Sequence, residues 1–148
     1  MSNQTVSHIP QGLHPITTQL VVKGAAKLAK QLEAAFGAEL LHSMPGANGG
    51  IMHGAVKVGE GTIFISDATE FATPTAANTF VYFKDVDAVY AKAQKAGLKV
   101  LAPLTTMFWG DRWALLADDF GNQWQIATHV EDLSPDEIKR RMAAQPKQ

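Results

Sequence analysis

Apolar and polar residues recur along this chain in one pattern that occurs twice. The run Leu20-Val21-Val22-Lys23 gives way at Gly24 to apolar residues at three- and four-residue steps, Leu28, Leu32 and Ala35 or Phe36, and the stretch stops at Gly37. Later, Val81-Tyr82-Phe83-Lys84 is followed by Val86, Val89, Tyr90 and Ala93 at the same steps, and that stretch stops at Gly97. Such spacing predicts a strand then an amphipathic helix in each copy, each closed by a glycine that accepts the left-handed C-terminal conformation. The expected elements of the first copy are a strand over Ile16–Lys23, a helix over Gly24–Phe36, a strand over Glu39–Ser43, and a hairpin. The hairpin pairs Ile51–Val58 with Thr62–Ser66 around Gly59-Glu60-Gly61. The second copy predicts a strand over Thr79–Lys84, a helix over Val86–Ala96 capped by Asp85, and a strand over Lys99–Ala102 closed by Pro103. Its hairpin pairs Trp113–Ala117 with Gln123–Thr128. Ser134-Pro135-Asp136-Glu137 then starts a last helix, with Ser as cap, Pro at the first helical position and Glu three residues after Ser.

An internal repeat of this length is one supersecondary unit used twice. The fold class expected is α+β: two paired βαβββ modules forming a curved, cup-shaped mixed sheet, plus a short C-terminal helix. Residues 1–12 read as a flexible polar arm. Residues 13–133 read as one domain, with module one at about 13–67, a linker at 68–77 and module two at about 78–130. Residues 134–148 read as the C-terminal helix and tail.

Composition narrows the function. Of 148 residues 46% are hydrophobic and 18% charged, and the net charge of -1 leaves no basic excess for nucleic acid. No apolar run approaches the about 20 residues of a membrane helix, and Met1 to Gly12 lacks the layout of a signal peptide. With no cysteine there is neither a disulfide nor a thiolate nucleophile or ligand. The expected setting is cytoplasmic, with no nucleic-acid and no membrane partner.

Alternation along strands predicts which side chains share a face. Thr17 goes with Gln19; Asn78 with Phe80 and Tyr82; Gln125 with Ala127 and His129. A floor of Thr17, Gln19, Asn78 and Gln125 is polar but uncharged, suited to hydrogen-bonding a small molecule. Met107 to Trp113 is the densest aromatic stretch, with Phe108, Trp109 and Trp113 able to stack on a planar ligand and Arg112 to pair an anionic group. The same residues equally suit a closing loop or a dimer contact. His53 with Asp67 is the acid/base candidate, against the plainer reading of His53 as a sheet-face residue.

The repeat, with Phe36-Gly37-Ala38-Glu39, Asp85-Val86-Asp87-Ala88 and Asp118-Asp119-Phe120-Gly121-Asn122-Gln123-Trp124, resembles the glyoxalase/bleomycin-resistance (vicinal oxygen chelate) superfamily. Trp109-Gly110-Asp111-Arg112, Met52-His53-Gly54 and Thr128 to Pro135 are similar to its PhnB-like branch. The resemblance covers roughly Pro15 to Met142. It implies a homodimer, and it implies four strand positions that hold a divalent metal in the family's enzymes. Here these fall at Thr17, at Phe64 or Ile65, at Asn78 and at Gln125. None carries an imidazole or a carboxylate, so no metal and no cofactor is expected. Two functions follow. One is a metal-independent small-molecule binding protein, which the missing ligands favour. The other is a glyoxalase-like lyase or isomerase, or a dioxygenase-type enzyme, acting on a small oxygenated substrate.

Overall fold

A computed structural model describes residues 5–146. Residues 1–4 of the expected arm and 147–148 of the expected tail lie outside the described residues. The elements in order are β1 (Gln19–Val22), α1 (Ala25–Phe36), β2 (Glu39–Pro45), β3 (Ile51–Val58), β4 (Gly61–Asp67), β5 (Asn78–Tyr82), α2 (Val86–Lys95), β6 (Lys99–Thr106), β7 (Asp111–Ala117), β8 (Gln123–His129) and α3 (Pro135–Ala143).

Local chemistry sets the helix ends. Gly37 sits at φ 63 and its N–H is bonded to the Glu33 carbonyl, closing α1 in the left-handed conformation. No atom lies within 4 Å of where a Cβ on Gly37 would be, so backbone strain alone opposes a side chain there. Gly37→Ala is therefore expected to cost about 1 kcal/mol in chemical denaturation, with the fold unchanged. Asp85 accepts the Ala88 N–H at 3.1 Å to start α2, and Ser134 accepts the Glu137 N–H at 3.1 Å to start α3.

The strands form two four-stranded mixed sheets, ordered β1-β4-β3-β2 and β5-β8-β7-β6. In each, the first strand runs parallel to its neighbour and the other pairs are antiparallel. The duplicated pattern is thus a duplicated topology. One row of each sheet turns inward: Leu20, Val22, Val56, Val58, Ile63 and Ile65 from the first, Ala114, Leu116, Trp124 and Ile126 from the second. These rows and the apolar stripes of α1 and α2 form a single core. Phe36 of α1 joins the halves, its ring centroid 5.2 Å from Trp124 and 5.7 Å from Phe83. The opposite row of each sheet is left open.

Two strands differ most from expectation: β1 starts at Gln19 rather than Ile16, which leaves Thr17 outside it, and β6 runs past its expected end. Pro103 does not close β6, which continues to Thr106 through ladder irregularities around Ala102 and Thr105. Because β6 is an edge strand with interrupted pairing here, a residue without an N–H is accommodated.

Candidate functional site

The open face of the second sheet is built by register. Phe80 pairs with Gln125, and Gln125 with Leu115; Tyr82 pairs with Ala127, and Ala127 with Trp113; Asp111 pairs with His129. Partners in a ladder point to one side, so Asn78, Phe80, Tyr82, Asp111, Trp113, Gln125 and His129 share this face. Phe80 and Tyr82 are 41% and 55% exposed, whereas Trp124, pointing the other way from β8, is 0% exposed. Aromatic rings follow one another across the face. Phe80 and Tyr82 lie 5.0 Å apart between centroids. The β6–β7 connection brings Phe108 to 5.1 Å from Trp109 and Trp109 to 5.9 Å from Trp113, both edge to face.

Two polar networks hold this wall. The Trp113 indole N–H donates to Gln125 Oε1 at 3.0 Å, and Gln125 Nε2 donates to Asn78 Oδ1 at 3.1 Å. The second network centres on Asp111, which is only 2% exposed. Its Oδ2 accepts the Tyr82 hydroxyl and the Trp109 indole N–H, both at 2.9 Å, and its Oδ1 meets His129 Nδ1 at 2.8 Å. His129 Nε2 meets Asp132 Oδ1 at 2.7 Å. An imidazole bonded to a carboxylate at each nitrogen is fully satisfied only as the cation. The hydrogen bonds to Asp111 and then Asp132 accordingly raise the His129 pKa above its ordinary value. Partial desolvation of Tyr82, then its bond to the Asp111 anion and that anion's charge, raise the tyrosine pKa. Tyr82 and His129 also line a cavity of about 510 Å³ that reaches Glu60 and Lys84.

The other candidates lie elsewhere. The floor expected from Thr17, Gln19, Asn78 and Gln125 is divided between the sheets. Thr17 precedes β1, and Gln19 Nε2 donates to Ser66 Oγ at 3.0 Å on the open face of the first sheet. The register pairs Gln19 with Phe64, and Ile65 is core. His53 is on that same face, edge to face with Phe64 at 4.7 Å and 6.1 Å from the His42 ring.

Two pairings need correction. Asp67 does not orient His53. Its Oδ1 accepts the Ala25 N–H at 2.8 Å and its Oδ2 the Ile51 N–H at 2.7 Å, so it caps α1, where Gly24 offers no side chain, and anchors β3. Arg112 does not join Trp113 at the wall. Alternation turns it to the helix side, paired in the ladder with Thr128, and its guanidinium bonds Asp87 of α2 at 3.1 Å. Asp111 and His129 were not singled out as a pair from sequence. The available signal was parity: Asp111 and Trp113 alternate on β7 as Gln125, Ala127 and His129 do on β8.

The donors do not fit the family's metal. At Asn78 and Gln125 the only atoms able to bind a cation are the amide oxygens, and both already accept hydrogen bonds. Phe64 offers no donor, and among the described residues no group of three His, Asp or Glu side chains is placed to hold an ion.

A βαβββ unit used twice, with an aromatic and amide-bearing open face on the second sheet, defines a small duplicated α+β protein. The chain belongs to the Glyoxalase/Bleomycin resistance protein/Dioxygenase superfamily, whose family model matches residues 12–126. It is 30% identical over 141 residues to an uncharacterized protein of Mycobacterium bovis, covering 88% of this chain and 93% of that one. An uncharacterized protein of Mycobacterium tuberculosis matches at the same 30% identity, with 88% and 83% covered. Among solved structures, TioX from Micromonospora sp. ML1 superposes with a TM-score of 0.69 at 26% identity, over 78% of this chain and 98% of that one. The fold is shared with TnmS3, an antibiotic binding protein from Streptomyces sp. CB03234, at a TM-score of 0.59 and 21% identity, over 78% and 97% of the two chains.

Proposed function

We propose that this chain is a small-molecule binding protein that works without the superfamily's usual divalent metal, as a cytoplasmic homodimer. The observation that carries the reading is the composition of the second sheet's open face. Phe80, Tyr82, Trp109 and Trp113 supply apolar and π surface, and Asn78 and Gln125 supply neutral hydrogen-bonding groups between them. That combination binds a flat aromatic molecule by stacking and orients it by hydrogen bonds. TnmS3 is named as antibiotic binding, so the fold accommodates such a role. The homodimer is supported by exposed apolar side chains on the edge strands of both sheets, Leu41 and Met44 on β2 and Leu101 on β6, which a second copy would cover.

Isothermal titration with a planar aromatic probe, anthraquinone-2-sulfonate, tests the reading. Saturable binding at one probe per chain is expected, weakened about tenfold by Trp113→Ala, the loss of one stacking partner. Sedimentation is expected to give a dimer. A stoichiometric divalent ion in the purified protein, whose removal by chelator lowers the melting temperature, would reverse the reading.

A further inference from the structure

We infer that the ligand of the second sheet presents a hydrogen-bond acceptor, a carbonyl- or quinone-type oxygen on a planar aromatic frame, to the amide of Asn78. This rests on the proposal that the open face of that sheet is the binding surface. The Trp113–Gln125–Asn78 relay has a fixed hydrogen-bond polarity. An indole N–H donates and cannot accept, so the Gln125 atom facing Trp113 is its oxygen. The Gln125 nitrogen therefore faces Asn78, and the Asn78 atom that receives it is also oxygen. Reversing either amide would set two N–H groups or two oxygens against each other. The relay thus ends in the Asn78 NH2, a group that only donates.

The rest of the wall reinforces that direction. The wall's other side-chain donors are occupied: the Tyr82 hydroxyl and the Trp109 indole are turned onto Asp111, and the His129 ring nitrogens onto Asp111 and Asp132. The donors left for a ligand on this face are those of Asn78 and the second N–H of Gln125. Asn78 is exposed, so water bonds it in the free protein. An aromatic ring lying over Phe80 and Trp113 displaces that water. A ligand with an acceptor at this point restores the bond, and a bare hydrocarbon leaves the donor unpaired. The discrimination comes from what binding removes rather than from extra contact area.

Anthraquinone-2-sulfonate and anthracene-2-sulfonate differ in the two ring carbonyls and share ring count and charge. Calorimetric titration of the whole protein is expected to favour the quinone by at least about tenfold, one hydrogen bond's discrimination. Asn78→Asp replaces the terminal donor with an acceptor and is expected to abolish the preference. Trp113→Phe keeps an aromatic ring but removes the donor that fixes the relay, and it is expected to narrow the preference. Equal binding of the two probes, or a preference unchanged in Asn78→Asp with circular dichroism showing a folded variant, overturns the donor assignment and leaves the binding surface standing. Binding of neither probe overturns the binding surface and this inference together.

Discussion

Asp118→Ala is expected to lower the stability of the protein by about 4 kcal/mol, the loss of several buried hydrogen bonds at once. Asp118 is 6% exposed at the turn between β7 and β8. Its Oδ1 accepts the backbone N–H groups of Phe120 and Asn122, at 2.9 and 3.0 Å. Its Oδ2 accepts Asn122 Nδ2 and the Trp124 indole N–H, both at 3.0 Å. Asn122 in turn accepts the Ala77 N–H at 3.0 Å, which ties the turn to the start of β5. One carboxylate therefore shapes the hairpin, satisfies the fully buried indole that packs on Phe36, and holds the chain entering the second module. Alanine leaves the indole N–H and the Asn122 donors buried without partners. Differential scanning calorimetry should show a melting temperature lower by roughly 10 °C, at about 2–4 °C per kcal/mol for a chain of this size. Asp119→Ala, one residue on and exposed, should stay within about 0.5 kcal/mol of the parent protein. A loss below about 1 kcal/mol for Asp118→Ala would mean that relaxation or water replaces the carboxylate, against this account.

What could be read from the letters alone divides along the range of the interactions. Helix ends and the duplicated order of elements were legible because they depend on neighbours in sequence. Gly37 needs only its own φ, and Asp85 and Ser134 reach three residues ahead. The side chains that organise the candidate site act over longer spans. Asp67 bonds Ala25, 42 residues away, and Asp111 bonds Tyr82, 29 residues away. His53 and Asp67 read as a titratable group and a carboxylate able to orient it, but the vacant cap at Gly24 took the carboxylate instead. Arg112 and Trp113 are adjacent, which invited a joint role, yet adjacency on a strand means opposite faces. The edge position that accommodates Pro103 is likewise a property of the sheet order and not of the local sequence.

Asp111 separates two effects that a single substitution would confuse, and the pair Asp111→Ala and Asp111→Asn resolves them. Alanine removes the acceptor of Trp109, Tyr82 and His129 together from a position that is 2% exposed. The expected loss is about 3 kcal/mol, less than at Asp118 because Tyr82 and His129 reach water. Asparagine behaves differently. Its oxygen in the place of Oδ2 still accepts from Tyr82 and Trp109, while its NH2 donates to His129 Nδ1. That bond requires a neutral imidazole with its proton on Nε2, directed to Asp132. The larger cause of the raised His129 pKa is then removed, the bond to Asp132 remains, and the aromatic wall is kept. The sign of the pH effect follows. A folded-state pKa above the unfolded one gives a stabilisation that is complete below about pH 6.5, the ordinary imidazole value, and is lost as pH rises through the raised value. Urea midpoints of the parent protein should therefore fall as the pH passes upward from about 6.5, and those of Asp111→Asn should change less over the same range. Imidazole resonances followed by NMR should show the His129 titration moving to lower pH in Asp111→Asn. If the titration stays where it is in the parent, Asp132 alone accounts for the shift and the buried carboxylate does not control the protonation of this face.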